Sequence, residues 1–87
     1  MSVKIYNLDI IKDMPASFDV DVSDLSLGAF IDYLETNYSA EIKQTIFSDG
    51  KLEDSIVISI NGLPVNDMEA RVPDGCTVVF SFLIFGG

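Results

Sequence analysis

Leu27, Phe30, Ile31, Leu34 and Tyr38 fall on one helical stripe, with Asp32 and Glu35 off it. Ser26 precedes the stripe and offers a hydroxyl that can accept from an early backbone N–H. The spacing predicts a helix over 27–38. One amphipathic helix cannot bury its stripe against itself. The rest of the chain must therefore supply a sheet with an apolar face.

Strand-like alternation flanks the helix on both sides. VKIYNLDI (3–10) places Val3 and Ile5 on one face and Lys4, Tyr6 and Leu8 on the other. SFDVDVS (17–23) places Phe18, Val20 and Val22 inward and Asp19 and Asp21 outward. After the break at Met14-Pro15-Ala16, these two segments predict an antiparallel hairpin. SIVISING (55–62) reads as a strand closed by the turn pair Asn61-Gly62, with Leu63-Pro64-Val65 continuing briefly. Asn66 to Val72 reads as an irregular connection. Pro73-Asp74-Gly75 is a turn before a last strand over 76–85. Between helix and third strand, AEIKQTIF reads as a short second helix whose Ile42, Ile46 and Phe47 reach the core. The alternative is that 39–47 folds over the other face of the sheet. The expected class is α+β, a mixed sheet with one main helix across one face, in an order that resembles the β-grasp fold of ubiquitin.

At 87 residues the chain is sized for one domain, 1–87, with 48% hydrophobic residues to fill a core. The net charge of −9, from 14 acidic and 5 basic residues, repels phosphate backbones and anionic membranes. A basic protein surface suits it better, although the same acids also keep an apolar domain soluble. The N-terminus lacks the basic stretch and apolar run of a signal peptide, and no apolar run approaches the roughly 18–20 residues of a membrane span. The cytoplasm is the expected compartment.

The catalytic inventory is short. The chain has no histidine and a single cysteine, Cys76, so a disulfide within the chain and a cysteine-rich metal or [2Fe–2S] site are excluded. No Ser or Cys has an obvious partner base, and no Gly-rich phosphate loop is present. Asp19 and Asp21 fit a solvated strand face better than a reacting carboxylate pair. Cys76, at a turn-to-strand junction, reads either as an exposed reactive thiol or as packing.

The sequence closes on VVFSFLIFGG, where Phe82, Leu83, Ile84 and Phe85 lead into Gly86-Gly87. Two residues without Cβ atoms can pass a slot too narrow for any side chain. Extended, 83–87 reaches about 17 Å. A carboxylate at Gly87 would be ionised at neutral pH and would need activation by another enzyme before a nucleophile could displace it. Alternation also assigns faces. With Val78, Phe80 and Phe82 toward the helix, Val79, Ser81 and Leu83 line the opposite face beside Tyr6 and Leu8, with Leu63 at its margin. An open apolar sheet face of this kind suits docking.

Taken in order, these pieces resemble the ubiquitin-like sulfur carriers, most closely the small subunit of molybdopterin synthase. Ile11-Lys12-Asp13 resembles the family's small–basic–acidic stretch after its first strand. Ser26 to Leu34, Asp49-Gly50-Lys51-Leu52, Ile58 to Gly62, Asp74-Gly75 and Gly86-Gly87 follow in the family's order. The resemblance implies that Gly87 is adenylated by an activating enzyme of the ubiquitin-activating superfamily, which uses ATP and magnesium, and that a sulfur donor then makes the thiocarboxylate. The molybdopterin synthase large subunit would receive the sulfur. It further implies that Gly86 and Phe85 thread into partner sites, that Lys12 joins the partner interface, and that no residue of this chain is catalytic or binds metal. The family's usual proline pair before the tail is missing, and Ser81-Phe82-Leu83-Ile84-Phe85 is closer to the carrier of thiazole synthesis. The length of 39–55 matches the molybdopterin branch. A modifier joined through Gly87 to lysines of other proteins, and a plain binding domain using its sheet face, are the alternatives.

Overall fold

The structure is a computed structural model that describes residues 2–8, 10–22 and 24–82. Its main sheet has five strands: β1 (Val3–Asn7), β2 (Ser17–Val20), β6 (Ile56–Ile60), β7 (Leu63–Val65) and β9 (Thr77–Phe82). Their order is β2-β1-β9-β6-β7. β1 and β9 run parallel and the other pairings are antiparallel, so the sheet is mixed as expected. Two small two-stranded sheets complete the fold: β3 (Leu25–Ser26) with β8 (Arg71–Val72), and β4 (Phe47–Ser48) with β5 (Lys51–Leu52).

Helix α1 spans Leu27–Asn37, and the Ser26 hydroxyl accepts from the Ala29 N–H at 3.2 Å, the predicted cap. Leu27, Phe30, Ile31 and Leu34 are fully buried and pack in one core with Val3, Ile5, Val20, Ile58, Val78 and Phe80 of the sheet. Tyr38 leaves the stripe. It is the C-cap residue, its N–H bonded to the Leu34 carbonyl, and its ring packs tilted against that of Phe18 at the sheet's edge, with centres 4.6 Å apart. The second helix is present as α2 (Ile42–Ile46), with Ile42 and Ile46 buried in the α1-side core and Phe47 packed against it. This segment therefore does not fold over the far face of the sheet.

Three sequence expectations need correction. The first strand ends at Asn7 rather than residue 10, because the Asn7 side chain turns the chain. Its Oδ1 accepts from the Ile10 and Ile11 N–H groups at 3.1 and 3.0 Å. Its amide donates to the Ile11 and Met14 carbonyls at 2.6 and 3.2 Å. The loop so folded sends Ile10, Ile11 and Met14 into the core. The second strand ends at Val20, short of 23. The connection 66–72 is not wholly irregular, since Arg71 and Val72 pair with Ser26 and Leu25.

Candidate functional site: the open sheet face

Register fixes which side chains share the face away from α1, because directly opposed residues point the same way. Tyr6 stands opposite Val79, and Val79 opposite Ser59, with Ser17 and Pro64 at the two ends of that row. Ser81 stands opposite Val57. The Leu8 N–H donates to the Phe80 carbonyl at 3.1 Å, which sets Leu8 beside Ser81. Tyr6 and Leu8 are 38% and 52% exposed, while Val79 and Ser81 are half-buried between their neighbours. The structure thus brings Tyr6, Leu8, Val79 and Ser81 together as the alternation predicts.

The charge of this face sets it apart. In a chain with 14 acidic residues, Asp19 is the one carboxylate at its described strand positions, and Lys4 stands opposite it. Lys4 also places its ammonium 5.9 Å from the centre of the Tyr6 ring, close enough for a cation–π contact. The other described acids lie instead on the loops, on the helices and along the β2 side. The result is a nearly neutral patch of apolar and hydroxyl side chains on a chain of net charge −9, a composition that suits a protein interface.

One predicted position falls elsewhere. Leu63 stands opposite Ile60 and so shares the helix-side face, 70% exposed at the sheet's edge, rather than the margin of the Tyr6 face. The cause is the two-residue turn. Asn61 and Gly62 both have positive φ, 52° and 84°, which pairs Ile60 directly with Leu63. Phe82 has the expected helix-side parity, opposite Ile56, yet it is 53% exposed because the buried layer ends before it. Lys12 is exposed on the Asn7-held loop, at the end of the sheet toward which β9 runs. Leu83, Phe85, Gly86 and Gly87 lie outside the described residues.

Cys76 is packing. It is 2% exposed in the core, and burial pushes its thiol above the ordinary value, which keeps it protonated and unreactive. Lys43 is held protonated chiefly by its hydrogen bond to Asp32, with Glu35 3.6 Å away, so it braces α2 against α1. Among the described residues no helix is long and apolar enough to cross a membrane.

Neither a protein-family model nor a curated protein matches the sequence. Solved structures do match. A chain of the Amycolatopsis orientalis BexX/CysO complex superposes with a TM-score of 0.77 at 24% identity, covering 98% of this chain and 99% of that one. SAMP1 from Haloferax volcanii gives 0.75 at 23% identity over the full length of both chains. A chain from the complex of subunits 1 and 2 of the Helicobacter pylori 26695 molybdopterin-converting factor gives 0.64 at 17%, again over both full lengths. With one main helix packed on a mixed sheet, the chain has the β-grasp fold of these proteins.

Proposed function

We propose that this chain is a ubiquitin-like sulfur carrier working through Gly87. An activating enzyme adenylates the Gly87 carboxylate with ATP, releasing pyrophosphate. The terminal sulfur of a donor persulfide then displaces AMP to form an acyl disulfide, and a thiol reductant cleaves its S–S bond, leaving the thiocarboxylate and the donor's thiol. The observation that carries the reading is the joining of two features on one strand. β9 contributes Val79 and Ser81 to a face almost free of carboxylates, and the sequence beyond it runs through an apolar stretch into Gly86-Gly87. A partner that seats on this face would receive the tail directly. Burial of Cys76 supports leaving the chemistry to partner enzymes.

For the acceptor, the motif order favours the large subunit of a molybdopterin synthase, and the likeness to the two-subunit molybdopterin-converting factor agrees with it. A second reading, a modifier conjugated through Gly87, draws on the likeness to the Haloferax volcanii small archaeal modifier protein 1, which covers 91% of this chain and 93% of that one. Intact-mass spectrometry of tag-free protein separates the readings. After incubation with ATP, a matched activating enzyme and a sulfur donor, exchange of one oxygen for sulfur at Gly87 is the expected result. An unchanged terminus would overturn the carrier reading, and accumulation of high-mass isopeptide adducts in cells would favour the modifier.

A further inference from the structure

β2 is an outermost strand of the sheet, and among the described residues no other strand pairs with its outer side. The Asn7 N–H donates to the Ala16 carbonyl at 2.8 Å, one register step beyond the Tyr6–Ser17 pair. By the alternation of an antiparallel ladder, Phe18 and Val20 spend their backbone groups on β1, and Ser17 and Asp19 direct theirs outward. An edge of this kind is a template for another strand.

The side chains along the edge say which strand. On the open-face side stands Asp19, with Asp21 just beyond, both exposed; Lys4 of β1 stands opposite Asp19, with its ammonium 5.9 Å from the centre of the Tyr6 ring. On the helix side Phe18 is half-buried, its ring 4.6 Å from that of Tyr38, which lies 6.4 Å from that of Tyr33. The three rings form an aromatic ledge beside the edge. A second copy of this chain would bring Asp19 and Asp21 against their own kind, a like-charge pairing that disfavours self-association.

The geometry points to the β2 edge as a docking site for an extended segment of a basic partner protein, in which lysine or arginine alternates with apolar residues. The basic side chains pair across the strand with Asp19 and Asp21. The apolar ones lie on Phe18 and Tyr38. The site runs along the β2 margin of the Tyr6–Val79 face, where Ser17 and Asp19 stand, and does not depend on the terminus.

The probe is a capped hexapeptide of alternating valine and lysine, titrated into the full chain while backbone amide signals and hydrogen exchange are followed. Binding should shift and protect the Ser17 and Asp19 amides. Neutralising two cross-strand pairs with Asp19→Asn and Asp21→Asn should weaken binding about fivefold. Asp67→Asn, an exposed acid on the β7–β8 connection, should leave it nearly unchanged. Four results would overturn the proposal: no saturable shift at millimolar peptide, shifts centred on Tyr6 and Val79, equal binding of a valine–glutamate peptide, or an equal loss with Asp67→Asn. Concentration-dependent shifts at Ser17 and Asp19 without peptide would reassign the edge to self-pairing.

Discussion

Tyr6 and Val79 are direct partners across the parallel β1–β9 ladder, and both present their side chains away from α1. The first strand and the last thus build one surface, although 72 residues of sequence separate Tyr6 from Val79 at the centre of the sheet.

If that surface seats a partner, Tyr6→Asp should weaken the complex by more than about tenfold, as loss of a central aromatic anchor does. Tyr6 is exposed, so the fold should lose no more than about 1 kcal/mol, most of it from the Lys4 contact. Calorimetric titration against an activating enzyme, with a urea melt of the same variant, reads both.

Asn7 uses both amide hydrogens and accepts two N–H groups, all inside the protein. Asn7→Ala should cost about 3 kcal/mol, because the Ile10 and Ile11 N–H groups lose their acceptor. Asn7→Asp keeps an acceptor but turns a carboxylate oxygen toward the Ile11 and Met14 carbonyls. Its buried carboxyl should prefer the protonated form, with a folded pKa raised above the unfolded one. The variant should therefore be most stable at low pH and lose stability as pH rises, which urea midpoints across the acid range would reveal.

Gly62 sits at φ 84°, with no atom within 4 Å of where a Cβ would stand. Gly62→Ala should cost about 1 kcal/mol through backbone strain alone. Asn61→Gly instead keeps the turn and loses the Oδ1 bond to the Thr77 N–H at 3.0 Å, so its cost should be similar by a different route. Thermal melts of the two variants and their combination would test whether the terms add.

Cys76 should resist alkylation in the native protein and react readily in urea, since its thiol is buried and its folded pKa is raised. The sign of the linkage follows. Above the ordinary thiol value of roughly 8.5 the unfolded chain releases a proton that the folded chain keeps, so stability should fall as pH climbs past it. Cys76→Ala should lower the midpoint through a small cavity but flatten that alkaline slope.

Periodicity carried the core elements well. α1, its Ser26 cap, the hairpin parity of β1 and β2, and the short α2 were legible because each is set by local spacing. Asn7 was not, since an asparagine in an alternating run looks like any inward strand position until its loop closes around it. The side taken by Leu63 depends on a two-residue turn, where one residue more or less reverses the face. Tyr38 sits at helical spacing but past the last full turn, where the Phe18 ring takes it instead. The clearing of carboxylates from the Tyr6 face needed register between strands distant in sequence.

The central place of β9 has a mechanical consequence. Its bonds to β1 and β6 run across the direction of the strand on both flanks. A pull applied along β9 from its C-terminal end loads those bonds together in shear instead of opening them one by one. Whatever grips the chain beyond Phe82 can therefore tug on it hard, and the load spreads over three strands before any single hydrogen bond must yield.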